Sequence, residues 1–269
     1  MKRLLLLAAA VTAAARADTL DFSRYVIVVS HFKSGALDAR NQTDANSRII
    51  QTLSTVSYDR DWNVAEWLAA HPQARRRLER LNFSAREADT RFLSDGTTAI
   101  DQEYELVGPA LRLLLPPTGD GELLGRKACP CCGQPWPENR EPPSGVRPVP
   151  YDDGSADVYT GVLIDGRGLR FRPALFPRVV TPDDKEVIGP AFADPEPLAA
   201  QGAVALFNDR NSAFLSDRIG ANPLVVRALA VTGSNSCDFV ISAHEAGRIH
   251  SSRHLLKLVG ECRVGFILD

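Results

Sequence analysis

Residues 116–156 constrain this chain more than any other stretch. They hold half of its 18 prolines and six of its 19 glycines, with little helical or alternating apolar period. Proline removes a backbone donor and fixes φ, and glycine is costly to order, so such a composition resists packing as a regular element. The segment reads as a linker or irregular surface insert. Regular structure is then confined to its flanks. The expected architecture is α+β: a module over 18–115, the Pro/Gly-rich insert with its cysteines over 116–156, and a second module over 157–269.

The first 17 residues read as an export signal. Lys2 and Arg3 precede an apolar run from Leu4 to Ala14, and Ala15-Arg16-Ala17 forms a small-x-small cleavage site. The run is shorter than the roughly 20 apolar residues of a spanning helix. Processing before Asp18 would leave a periplasmic or secreted chain with no integral membrane span, and no cysteine follows the site to carry lipid. The net charge of −2 becomes more acidic once Lys2, Arg3 and Arg16 leave. Nucleic acid is therefore not an expected partner, because phosphate binding requires a clustered basic face. The one basic run, Arg75-Arg76-Arg77, lies between Ala74 and Leu78 on a helical period and reads as a solvated face.

In the first module Tyr25–Val29 is a continuous β-branched run, the pattern of a strand covered on both faces. Ile49, Ile50, Leu53 and Val56 fall at helical spacing. Asn63 with Glu66 forms a capping box opening a short helix, and Pro72 suits the first turn of the next, with Ala74, Leu78 and Leu81 inward. A hairpin is expected around Ser94-Asp95-Gly96. Its return strand alternates Ile100, Tyr104 and Leu106 with Asp101, Glu103 and Glu105, which places those acids on an exposed face.

In the second module the spacing predicts a strand over Val158–Ile164, with turns at Asp165–Gly168 and Thr181–Asp184. A helix is expected between Pro197 and Asn208, and a further one across Ala213–Ile219. Leu224–Val231 reads as one strand with Asp238–Ile241 as its neighbour. Ser242 and Glu245 form a capping box whose helix should run to Gly260, and Arg263–Leu268 closes the chain as a buried strand.

Several of these segments carry a resemblance. Tyr159–Leu169, Arg172–Val179, Asp183–Gly189, Asn222–Ala228, Val240–Ser242 and the terminal strand ending at Asp269 are similar to segments of small membrane-associated lipoproteins of bacteria. They also resemble the N-terminal domain of flagellar assembly protein T. The similarity extends to Val64–Leu68 and Ala88–Gly96. Asp184 stands where the pattern has a turn glycine and Ile188 where it has tyrosine, and the cysteine-bearing insert is no part of it. The resemblance implies an exported protein that acts through contacts with envelope or flagellar basal-body proteins. It supplies no catalytic residues, cofactor or metal ligands.

Chemistry concentrates in the insert. Cys129-Pro130-Cys131-Cys132-Gly133 has the spacing with which metal knuckles present two thiolates, yet a structural zinc needs four ligands. Cys237, Cys262 or a histidine would have to complete the set. The prolines at 135 and 137 forbid the helix that lowers a thiol pKa in thioredoxin-like motifs. In an oxidising compartment a local disulfide is the expected state. Cys237 and Cys262 precede two apolar runs; if those are neighbouring parallel strands, the cysteines come within disulfide range. One of the five cysteines stays unpaired in any scheme.

Other candidates are weaker. His250 and His254 are four apart on the expected helix, a metal-pair spacing, but no carboxylate lies between them and Arg248 and Arg253 are near. Gly166-Arg167-Gly168 lacks the third glycine of a dinucleotide loop, and Asp165 and Arg167 are placed to pair across the turn. Trp136, between prolines, is a candidate partner contact or a loop pin. Trp136 and a few tyrosines would be the only stacking surfaces for a cell-wall glycan. The chain reads as non-enzymatic and without a cofactor, an envelope accessory or assembly protein. The alternative is a periplasmic thiol-disulfide or metal-binding protein using Cys129–Cys132.

Overall fold

The computed structural model describes residues 18–33, 41–92, 96–119, 121–137, 140–152, 156 and 158–269. The expected signal segment and Ser94-Asp95 of the hairpin turn lie outside them. Strand β1 (Thr19–Asp21) pairs antiparallel with β2 (Val26–Lys33). Helix α1 (Asn41–Ser54) then buries Ala45, Ile49 and Leu53, which recur at helical spacing. Helix α2 (Val64–Ala70) opens on the expected capping box: the Asn63 side chain accepts from the Glu66 N–H, and the Glu66 carboxylate accepts from the Asn63 N–H, both at 2.8 Å. Helix α3 (Pro72–Glu79) starts on its proline and buries Leu78. Strands β3 (Ala85–Phe92) and β4 (Thr98–Glu105) form the hairpin, and the sheet runs β1-β2-β4-β3. Helix α4 (Pro109–Leu113) ends this half.

The reading of β4 needs one correction. Asp101, expected on an exposed face, is 2% exposed, and its carboxylate accepts from the Ser30 hydroxyl at 2.6 Å and from Arg91 at 2.9 Å. Strand β4 lies between β2 and β3, and Ser30 of β2 and Arg91 of β3 close over this one carboxylate. A buried carboxylate is tolerated there because it is bonded on both sides.

Among its described residues the insert contributes β5 (Lys127–Ala128) and β6 (Val149–Pro150), paired antiparallel. Beyond it the elements are β7 (Val162–Asp165), β8 (Val179–Val180), β9 (Glu186–Ile188), α5 (Pro195–Gln201), β10 (Ala205–Phe207) and α6 (Arg210–Phe214). After these come β11 (Leu224–Arg227), β12 (Ala230–Thr232), β13 (Asp238–Val240), α7 (Ala243–His250), α8 (Arg253–Gly260) and β14 (Val264–Ile267). They build two sheets. One is wholly parallel, ordered β10-β14-β7-β11; the other is mixed, ordered β12-β13-β8-β9.

Several expectations fail here, among them the helix across Ala213–Ile219, which forms instead as Arg210–Phe214. The helix expected to run towards Asn208 stops at Gly202, whose φ of +77° favours glycine. Residues 205–207 become β10 instead, pairing with β14. The expected strand over 224–231 splits between sheets: Ala228 N–H donates to Asp165 O in one, and Leu229 N–H to Val240 O in the other. The helix opened by Ser242 breaks after His250, where Ser252 caps a second helix by accepting from the Leu255 N–H at 3.2 Å.

The two halves do not keep separate cores. Buried side chains from Tyr25 to Leu114 and from Val162 to Phe266 belong to one continuous apolar cluster. Backbone bonds cross the boundary from Leu175 N–H to Ser57 O, from Phe176 N–H to Tyr58 O and from Gly108 N–H to Ala199 O. The fold is α+β with a shared core. Among the described residues no helix is long and apolar enough to cross a membrane.

Candidate functional site

The insert is tied to the second half at several points. Gly119 and Gly121 N–H both donate to Ala191 O, and a Cβ on Gly121 would overlap the Phe192 ring. Leu124 N–H donates to His250 Nδ1 at 3.0 Å, Arg126 N–H donates to the Ser251 hydroxyl at 3.0 Å, and Asp152 accepts from the Arg253 N–H at 2.7 Å. The helix break after His250 is thus the seat of the insert. A segment expected to be exposed throughout also buries Ala128 and Ala156.

Between these anchors the cysteines form a closed turn. Cys129 N–H donates to Gln134 O at 2.8 Å and Gly133 N–H returns to Cys129 O at 2.9 Å, while Gly133 adopts φ +71°. Trp136 N–H donates to Lys127 O at 2.7 Å, so a two-stranded stem carries the turn. The backbone N–H groups of Cys131 and Cys132, and after them their thiols, act electrostatically on the Cys129 sulfur. Those amides, first of all that of Cys131, hold the Cys129 thiol below its ordinary pKa by favouring the thiolate. No helix is needed for this; the turn's own amides suffice. Cys129 is half-buried, whereas Cys131 and Cys132 are exposed.

Beside the turn lies an open groove of about 740 Å³. Arg126, Lys127, Arg140 and Lys185 line it together with Glu122, Glu141 and Trp136, and Lys185 lies 3.9 Å from the Glu122 carboxylate. The indole N–H of Trp136 donates to Arg140 O at 2.7 Å, so this ring pins the loop and also forms a wall of the groove. Two tyrosines at the insert's seat are already covered: the Arg126 guanidinium lies 4.8 Å from the Tyr151 ring centre and that of Arg248 lies 5.5 Å from Tyr159. Their outer faces are taken by cations, which leaves less for a sugar ring to stack upon.

Cys237 and Cys262 do not meet on neighbouring strands. The runs that follow them, β13 and β14, belong to different sheets, and both thiols are free and buried. Burial pushes the Cys262 thiol up to about 11 and the Cys237 thiol higher still. The histidine pair is also undone, because the helix breaks between its members. His250 accepts from Leu124 N–H at Nδ1 and donates from Nε2 to Val187 O at 2.8 Å, which fixes a neutral imidazole. His254 Nε2 donates to Tyr159 O at 2.7 Å. Among the described residues no group of three His, Cys, Asp or Glu side chains is disposed to hold a metal ion.

The Asp165–Arg167 pair forms as expected, with bonds of 2.9 and 2.7 Å. The Arg167 guanidinium holds the Asp165 carboxyl down at about 2. Gly168 N–H donates to the terminal Asp269 carboxylate at 2.7 Å, and a Cβ on Gly166 would overlap the Phe239 ring. Residues 161–269 match the family described as Treponema pallidum Tp0624, second domain. No curated protein matches the chain. Within the matched span the sequence motifs serve the framework. Asp184, for example, occupies the left-handed region at φ +62° and accepts from Arg60 of the first half.

Two framework residues escaped the sequence reading. Arg218, half-buried, donates to the carbonyls of Cys262, Gln201 and Gly202, each at 2.7 Å. Asp238, fully buried, accepts from the Arg178 side chain at 2.9 Å. Neither sits in a recognisable motif. A charged residue inside an apolar run, as Asp238 stands before Phe239, was the available signal.

Proposed function

We propose that this chain is a non-enzymatic accessory or assembly protein of the bacterial envelope, working by contact with other proteins at the outer membrane or the flagellar basal body. The insert groove is the contact face. The observation that carries this reading is the groove itself: an open trough in which Arg126, Lys127, Arg140 and the Trp136 indole of the insert face Lys185 of the second half, with four basic side chains against the acidic Glu122 and Glu141. An acidic, extended segment of a partner suits that lining, since cationic rims steer and orient such ligands. The export signal and the similarity of Tyr159–Leu169 and Asn222–Ala228 to exported bacterial proteins support the compartment.

The test is a photo-crosslinking residue at Lys185 or Arg140, introduced into the full chain in its native host. A discrete adduct with an envelope protein is expected, and Trp136→Ala should weaken it. Retention of the unprocessed chain in the cytoplasm, or crosslinks indistinguishable from those of a probe placed at Arg75, would refute the reading.

A further inference from the structure

Three arginines converge on one carboxylate whose oxygens are taken by the first of them. Asp165, the last residue of β7, is 4% exposed. Arg167 grips it from Nε at 2.9 Å and from Nη2 at 2.7 Å, a bidentate fork that uses both oxygens. Arg227, the last residue of β11, and Arg210, the first of α6, stop at 3.5 and 3.7 Å from the same carboxylate. Those separations are longer than an ordinary hydrogen bond. Arg227 is oriented by a bond of 3.0 Å to Arg167 O. The Arg210 and Arg227 side chains remain 48% and 62% exposed.

Topology places this cluster. In the parallel sheet β10-β14-β7-β11 the carboxyl ends of all four strands lie together. Arg210 follows β10, Asp269 follows β14, Asp165 and Arg167 close β7, and Arg227 ends β11. Open parallel sheets take their ligands outside the carboxyl ends of the strands, where the loops diverge. The other carboxylates here already have donors. Asp209 caps α6 by accepting from the Ser212 N–H at 2.9 Å. Asp269 accepts from the exposed Gly168 N–H at 2.7 Å, so one oxyanion already rests on this loop beside Arg167. Arg210 and Arg227 thus bring two positive charges to a carboxylate that Arg167 has already paired. The seat of the insert is at the other end of β7, where Tyr159 meets Arg248 and His254.

We propose that Arg210 and Arg227, gathered by the Asp165–Arg167 pair, bind a phosphomonoester at the carboxyl end of the parallel sheet. Two guanidinium groups match the charge of a phosphate dianion, and their planar N–H forks match its oxygens. Arg167 stays on Asp165 and is a positioning residue, since its carbonyl holds Arg227. The site shares no residue with the insert groove, so this proposal and the contact reading above can fail separately.

The probe is inorganic phosphate, titrated at low ionic strength into the full processed chain and followed by calorimetry. Saturable binding of one phosphate per chain is expected, weakening as sodium chloride is added. Dimethyl phosphate, which carries a single charge, should bind about tenfold more weakly or worse. Arg210→Ala and Arg227→Ala should each weaken phosphate binding about tenfold, and the double variant should abolish it. Both side chains are exposed, so urea unfolding of these variants should match that of the wild type. Asp269→Asn removes a neighbouring negative charge and should tighten binding, while Arg75→Ala should leave it unchanged. The proposal is overturned by an absence of saturable binding or by equal affinity for dimethyl phosphate. Retention of binding in the double variant, or an equal loss in Arg75→Ala, would overturn it too.

Discussion

Cysteine appears in two regions of this molecule and behaves in opposite ways. In the sheets of residues 161–269, Cys237 and Cys262 are enclosed by apolar side chains, and burial raises both thiols. In the insert, Cys129 lies in a solvent-facing turn whose own amides lower its thiol. The contrast extends to the motifs. The span that resembles other proteins uses its signature residues to hold the fold: Gly166 makes room for Phe239, Asp165 pairs with Arg167, and Asp269 closes on Gly168. The composition-biased insert, with hardly any regular structure, carries the accessible thiols. A packed core consumes polar and reactive groups, since each must be bonded or neutralised to be buried. A stapled loop leaves them available.

Four measurements test this contrast, the strongest expected change first. Native thiol labelling at neutral pH should modify the insert cysteines at once and leave Cys237 and Cys262 unmodified until the chain unfolds. The rise of Cys262 to about 11 from an ordinary 9.0 alone lowers its thiolate fraction ~100-fold, and exclusion of reagent adds to that. Rapid labelling of all five would mean the sheets open far more readily than their packing implies.

Phe239→Ala should come next. Its ring is fully buried, stacked on Phe171 at 4.6 Å and edge-on to Phe266 at 5.0 Å. Losing it should cost about 3–5 kcal/mol in urea unfolding. Because the core is continuous, the whole chain should unfold in one shifted transition. A second transition left in place would show that the halves are energetically separate.

His250→Gln should cost about 1–3 kcal/mol, because two buried partners lose their ligand. It should also change the pH dependence. Burial holds the His250 imidazole below its ordinary 6.5, so the folded chain resists the proton that the unfolded chain accepts. Stability from this group is full above pH ~6.5 and is lost as pH falls below that towards the folded value. Melting temperatures of the wild type should fall more steeply than those of the variant between pH 7.5 and 5. Parallel curves would mean that His250 is not held neutral.

The smallest effect belongs to the insert. Trp136→Ala, or serine at Cys129, Cys131 and Cys132 together, should shift unfolding by less than about 0.5–1 kcal/mol. A larger loss would make the insert part of the core and weaken its reading as a contact face.

The features legible along the chain are local. The capping box at Asn63–Glu66, the proline start at Pro72, the Asp165–Arg167 pair, the α+β class and the irregular insert all rest on contacts within a few residues or on composition. Long-range packing set the remainder. The stretch 224–231 is uniformly suited to a strand, and only the register with Asp165 and Val240 divides it between sheets. A helix from Ser242 to Gly260 is locally reasonable, but Ser252 caps a new one and the insert seats itself in the break. The thiols show the limit most directly. Backbone amides lower the Cys129 thiol while burial raises those of Cys237 and Cys262, and both effects act through space, so neither can be read from spacing along the chain.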